Sequence, residues 1–403
     1  MEHCKTRLHA LTLVVVMLGV LGCKSSDVPK GPAPLGKRIT AYQAVKQARS
    51  YWPNAGWKTK SPKELGVDAA ALDKAFAYAF QRTGDEINRK GIRTDSLVVI
   101  YKGYLIKEQY TRKYKANTPH LAWSMTKSFV NTLFGIAVKQ GLVSLNDKAS
   151  KYIKSLDTKV ARNVTVKQLL NMVSGLCWNE GYEASPLKST VIKMLYTAGR
   201  DNMGAFATQQ GMCFQPGTHW YYSSGTSNLL MLILRSILKK KYEAYPWTSL
   251  FDVLGMKGVT WERDQSGNFV GSSYLHASPR QLAKYGFLYL NDGVWNGKRV
   301  LPEGWVKFTG TVPAADPEGI YGAHWWLNVG RPEKNIAPRF PDAPRDTLVA
   351  SGHWGQYLFV IPSKDLVVVR MGDDRQKIFS RNTLLKLIIA SLPTKTAKQG
   401  GVQ

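Results

Sequence analysis

Apolar positions along this chain follow two rhythms, and the change from one to the other marks its elements. In GVDAAALDKAFAYAFQR (Gly66–Arg82) the apolar residues fall at helical spacing. SLVVIYKGYLIKEQY (Ser96–Tyr110) is instead two β-rich runs around Lys102-Gly103, which predicts a hairpin. SFVNTLFGIAVKQG then returns to the helical period and closes at Gly141. The stretch from about 150 to 275 is predicted to be mostly helical with aromatic-rich loops. Beyond it, QYLFVIPSKDLVVVRMG (Gln356–Gly372) predicts a second pair of strands around Pro-Ser-Lys-Asp, and Arg381–Ser391 a last helix. Strands near both ends with helices between them predict an α/β (α+β) domain over 60–392. In it one antiparallel sheet is built from both chain ends, flanked by helices, with the helical region inserted. A polar tail, 393–403, follows.

Composition adds a compartment to this outline. The 403 residues are 44% hydrophobic with 35 Gly and 19 Pro, enough for a substantial core. At the start, Lys5 and Arg7 precede an apolar run, Leu11–Gly22, too short to span a bilayer but suited to an export signal. The run ends in VLGC, which resembles a bacterial lipoprotein cleavage site. Residues 1–22 then read as the signal, Cys23 as the lipidated first residue, and 23–59, rich in Pro, Gly, Ser and Lys at its start, as a tether to the membrane. The alternatives are an ordinary signal cut slightly later and an uncleaved anchor. Net charge is +27, or +26 without the signal, but the basic residues are dispersed and no recognition motif accompanies them, so nucleic acid is not an expected partner. An anionic envelope surface, or simple solvation, accounts for the charge.

Four cysteines occur. With the signal removed and Cys23 lipidated, Cys177 and Cys213 remain, and in an oxidising compartment they can form a disulfide. The other reading is two buried thiols. No CxxC, HExxH or dense His/Cys cluster appears, so no metal site is expected, and no cofactor.

The candidate chemistry lies in HLAWSMTKSFV (His120–Val130), where Ser124 precedes Lys127 by one helical turn. A serine with a neighbouring lysine to take its proton is an acyl-transfer arrangement. Ser185/Lys188 and Ser236/Lys239 have the same spacing. Ser185, however, is followed by Pro186 in a loop, and Ser236 sits inside an unbroken amphipathic helical run. Ser124 alone stands at a helix start, where the helix N-terminus favours developing negative charge.

Two later segments, FQPGTHWYYSSGTSNLL and SGHWGQYLFVIP, complete a pattern that resembles the serine β-lactamase and penicillin-binding-protein family, in particular its class C-like esterase and 6-aminohexanoate-dimer hydrolase branch. Its three ordered elements are matched by Ser124/Lys127, Tyr222-Ser223-Ser224 and His353-Trp354-Gly355, and the resemblance covers about residues 60–392. It implies that Ser124 forms an acyl-enzyme, that Lys127 shares its proton, and that Tyr222 serves as base and then acid. It implies an oxyanion site made by the N–H groups of Ser124 and Gln356, with Gly355 leaving room for substrate at the strand. Ser224, His353 and Tyr182, the last in SGLCWNEGYEASP, are expected to contact substrate.

Two departures bear on that substrate. A lysine in the third element would anchor a substrate carboxylate, whereas a histidine, with an ordinary pKa near 6.5, is mostly uncharged at neutral pH. Ser224 also stands where an asparagine amide would bind a substrate amide. Both favour small-molecule carboxylic esters or linear amides over β-lactams or D,D-peptides. A non-catalytic envelope-binding or sensing protein is the reading from a different class.

Overall fold

The computed structural model describes residues 36–44, 48–81, 83–84, 87–182, 188–376 and 378–394. The signal, Cys23, Ser185 and the end of the tail lie outside them. Six strands form the central sheet: β1 (Thr94–Tyr101), β2 (Tyr104–Tyr110), β3 (Trp326–Leu327), β4 (Leu348–Gly352), β5 (Gln356–Ile361) and β6 (Leu366–Gly372). Their order is β3-β4-β5-β6-β1-β2 and every pairing is antiparallel. The two ends of the chain meet where β6 pairs with β1, with Val368 opposite Val99 and Val369 opposite Val98. In the β1–β2 hairpin, Lys102 and Gly103 both take positive φ, 49° and 84°, as a two-residue turn matching the strand twist requires.

Both faces of the sheet are covered, which is why β1 and β6 read as near-continuous apolar runs. Period-2 alternation sends Leu97, Val99, Leu366 and Val368 to one face and Val98, Ile100, Val367 and Val369 to the other. The first face packs against α1 (Ala69–Ala79) and α5 (Arg381–Ser391), which supply Leu72, Phe76, Leu384 and Ile388. The expected first helix is shortened at its start because Asp68 is its N-cap, its side chain accepting from Ala71 N. The second face carries the larger core, with α2 (Thr126–Lys139), α3 (Ser224–Leu238) and α4 (Pro279–Leu290). Helix α4 lies so close to the sheet that a Cβ on Gly286 would come within 2.7 Å of Leu358 Cδ1.

The middle of the chain is less regular than its apolar spacing suggests. Besides α3, it holds short helices at Val166–Leu170, Thr190–Tyr196 and Met203–Thr208, and short strands at Thr260–Trp261 and Leu275–Ala277. Caps recur there, by Thr165, Ser189 and Asn202, so each short helix starts anew instead of extending its predecessor.

Candidate active site

Helix α2 is buried from Thr126 to Ala137, so its start is fixed in the core and cannot drift. Its polar side chains are all bonded there: Ser128 Oγ donates to the His324 carbonyl, and Asn131 Nδ2 to that of Ala323, each at 2.9 Å. The chain enters through a 3-10 turn, Trp123–Met125. Trp123 has φ +49°, a left-handed conformation uncommon outside glycine. Aromatic contacts hold it there, with His353 at 5.6 Å and Trp354 at 5.2 Å between ring centroids. The end of β4 packs against this turn, and a Cβ on Gly352 would fall 2.2 Å from the Ala122 carbonyl oxygen. Ser124 is thereby set at the mouth of a cavity of about 340 Å³.

Lys127 points back from the first turn of α2 and is buried. Its Nζ donates to Ser124 Oγ at 2.9 Å, to Ser224 Oγ at 3.0 Å and to the Ser272 carbonyl at 3.0 Å. Desolvation pulls its pKa down from 10.5 to about 8, opposed by the negative charge of Glu180. Asn228, one turn along α3 from Ser224, fixes Ser272 by donating to its Oγ at 3.1 Å and accepting from its N–H at 3.3 Å.

Tyr222 precedes α3, whose N-cap is Ser223, with Oγ accepting from Thr226 N at 3.1 Å. Its ring stacks on Trp326 at 5.2 Å, it lines the same cavity as Ser124, and Lys127 Nζ lies 4.9 Å from its ring centroid. Burial raises the Tyr222 pKa, and the Glu180 charge raises it further. Ser124, Lys127 and Tyr222 therefore meet at one point, although Tyr222 lies far along the chain from the other two.

The remaining expected residues divide. Tyr182 and His353 line the Ser124 cavity and stack on one another at 5.2 Å. Ser224 is fully buried and hydrogen-bonded between Lys127 and Glu180, behind the cavity and not on the expected substrate-contact surface. Gly355 lines the cavity, but the room it leaves serves the interior: a Cβ there would meet Arg370 Nη1 at 2.2 Å and Asp374 Oδ2 at 2.5 Å. The glycine pressed against the turn that carries Ser124 is Gly352. Gln356 is turned inward, its Nε2 donating to the Gly372 carbonyl at 2.6 Å and its Oε1 accepting from Gly372 N at 3.0 Å. It lines a neighbouring cavity with Trp123 and Trp354, not the one that holds Ser124. The cause is the hairpin, which curls through Trp354 at φ +58° and Gly355 at φ +99° before Gln356 begins the next strand. Ser236, one of the rival serines, bonds back to the Ile233 carbonyl at 2.9 Å on the outer face of α3.

Sequence reasoning missed Glu180, Ser272, Asn228, Arg339 and Arg381. Glu180 had a signal, standing two residues before Tyr182 in a segment already singled out. Its Oε2 accepts from Trp178 Nε1 at 2.5 Å and from Ser224 N at 2.8 Å, and its Oε1 accepts from Ser224 Oγ at 2.5 Å. Cys177 and Cys213 are joined by a disulfide that ties this segment to the chain just before Tyr222. Opening it with a reductant, or replacing Cys213 by serine, is expected to destabilise the protein by about 4 kcal/mol on the chain-entropy model. A melting temperature unaffected by reductant would show that other contacts hold the segment.

The strand order, the buried Ser-x-x-Lys helix and the cavity between them are the features of a serine β-lactamase fold. The chain belongs to the Beta-lactamase family, whose model matches residues 73–390. It is 25% identical over 301 residues to a 6-aminohexanoate-dimer hydrolase of Paenarthrobacter ureafaciens, covering 69% of this chain and 72% of that one. Among solved structures it resembles a D-stereospecific amidohydrolase from Streptomyces sp., with TM-score 0.58 and 15% identity over 82% of this chain and all (100%) of that one. A class C β-lactamase superposes with TM-score 0.56 and 18% identity, covering 81% and 99% of the two chains.

Proposed function

We propose that this hydrolase forms an acyl-enzyme on Ser124 and cleaves carboxylic esters or linear amides. The observation that carries the reading is the Lys127 amine, buried, 2.9 Å from Ser124 Oγ and with its pKa lowered to about 8, so that at neutral pH about a tenth of it is the free base. In this reading Ser124 Oγ attacks the carbonyl carbon while its proton passes to Lys127 Nζ. The oxyanion is held by the Ser124 N–H and by backbone at the Gly352–His353 end of β4, which takes the place expected for Gln356. The tetrahedral adduct then expels an alcohol or amine. Tyr222, whose raised pKa keeps it protonated, donates to that leaving group and is reprotonated from the Lys127 ammonium. Water hydrolyses the ester by the same steps in reverse roles.

The cavity also speaks to the substrate. Arg339 and Arg381 line it, and among the described residues neither guanidinium has a hydrogen bond or ion pair. Each rests on an aromatic ring, Arg339 on Trp326 at 4.8 Å and Arg381 on Tyr357 at 5.3 Å. They provide the permanent charge that His353 lacks, and they favour a substrate with a carboxylate near its scissile bond. This supports a second reading, a β-lactamase or D,D-peptidase. A panel of short-acyl p-nitrophenyl esters, linear amides with and without a terminal carboxylate, and nitrocefin separates the two. Turnover of the esters and of the linear amides that lack a terminal carboxylate supports the first, and preference for the carboxylated amide or fast nitrocefin turnover the second.

For location, the reading remains a lipid anchor at Cys23, on the VLGC pattern. Metabolic labelling with palmitate is expected to mark the chain, and Cys23→Ser to abolish the label. Labelling that survives the substitution excludes this anchor.

A further inference from the structure

Glu180 stands outside the three motif elements, yet its carboxylate closes the network behind the nucleophile. Both oxygens are committed: Oε2 accepts two N–H groups, from Trp178 and Ser224, and Oε1 accepts the Ser224 hydroxyl. An ionised carboxylate is acceptor-only, so the single Ser224 hydroxyl hydrogen points at Glu180 and cannot point at Lys127.

We propose that Glu180 is a positioning residue that, through Ser224, aims the free-base lone pair of Lys127 at Ser124. With its hydrogen held by Glu180, Ser224 offers Lys127 only an oxygen acceptor, and the Ser272 carbonyl offers another. A neutral amine has two N–H groups and one lone pair. The two N–H groups satisfy Ser224 and Ser272, and the lone pair has one direction left, the Ser124 hydroxyl 2.9 Å away. The acid–base partner is thus oriented before substrate arrives.

The seat of Glu180 is built for this. Trp178, which donates to it, packs so tightly on the first turn of α3 that a Cβ on Gly225 would lie 2.4 Å from the indole. The Cys177–Cys213 disulfide fixes the preceding residue. Glutamine is nearly isosteric with glutamate, but it cannot reproduce the arrangement. Its carbonyl must take the Oε2 position facing two N–H donors, which leaves its NH₂ facing Ser224 Oγ. The Ser224 hydroxyl must then turn round and give its hydrogen to Lys127, competing with Ser124 for the lone pair.

The inference rests on the serine-hydrolase reading, and the experiment separates the two. Hydrolysis of p-nitrophenyl acetate is followed against pH for the parent, Glu180→Gln, Ser224→Ala and the double variant, each first tested for labelling of Ser124 by a fluorophosphonate. A parent that does not label Ser124 removes the proposed function itself. Given a labelled parent, Glu180→Gln is expected to lower the high-pH plateau of kcat roughly 10- to 100-fold with little change in KM. Its ascending limb should move to lower pH, because the carboxylate no longer favours the Lys127 ammonium. In the Ser224→Ala background, where the link is already cut, adding Glu180→Gln should change the plateau less than about twofold. A parental plateau in Glu180→Gln, or an equal loss in both backgrounds, overturns the positioning role. Should Glu180→Gln not fold, Ser224→Ala alone decides: the same plateau loss supports the role, and a parental plateau overturns it.

Discussion

Alanine at position 124 is expected to reduce ester hydrolysis by about 10³-fold or more and to abolish the covalent acyl adduct seen by intact-protein mass spectrometry. The size of the effect follows from the site. Ser124 Oγ is the hydroxyl that Lys127 reaches at the cavity, and the other serine it touches, Ser224, is buried away from substrate. What remains in the variant is the Tyr222 hydroxyl, held protonated by burial, and water. Folding should be untouched, because Lys127 keeps Ser224 and the Ser272 carbonyl as acceptors. If the variant hydrolyses p-nitrophenyl esters at the parental rate, the nucleophile has been misassigned, and with it the acyl-enzyme.

The second large effect concerns Lys127. Methionine has nearly its length without the charge, and Lys127→Met is expected to lower kcat/KM by about 10²-fold or more. It should also erase a pH dependence. Only the neutral amine can accept the Ser124 proton, so parental kcat/KM should climb through about pH 8 and level above it, whereas the variant should show no limb there. Stability gives an independent readout with a definite sign. The folded pKa, about 8, lies below the ordinary 10.5, so between those values the unfolded chain binds more protons. Stability of the parent therefore rises with pH across that window, and below it the full cost of burying the ammonium is present. Lys127→Met should lack this rise. Melting temperatures of the two proteins that run parallel from pH 7 to pH 10 would mean that Lys127 is not depressed by burial.

Much of the fold was legible because its signals are local. The β1–β2 turn needs two residues that tolerate positive φ, and Lys102-Gly103 between β-rich runs announces it. The apolar character of α2 announced a helix, and its burial on every side explains why polar residues such as Asn131 interrupt the pattern without ending it. The middle of the chain was harder, since apolar spacing does not reveal where a cap such as Asn202 restarts a helix.

The site was legible in part for the same reason. Ser124 and Lys127 are three positions apart, so one helical turn brings them together whatever the rest of the chain does. Gln356 and Gly355 show the limit. Their place was inferred from a motif, but a hairpin that passes through Trp354 and Gly355 at positive φ can end one or three residues away, and each single step reverses the face a strand residue presents.

By itself, then, the chain's sequence determined the strand pairs near both ends, the long helices and the one-turn spacing of Ser124 and Lys127, because each depends on neighbours within a few residues. Only the tertiary structure decided the lysine's chemistry. The desolvation that lowers its pKa, the Ser272 carbonyl that takes one of its hydrogens and the Glu180 carboxylate that turns Ser224 come from segments brought together by packing. Proton affinity and hydrogen-bond direction are properties of that assembled environment, and no spacing along the chain encodes them.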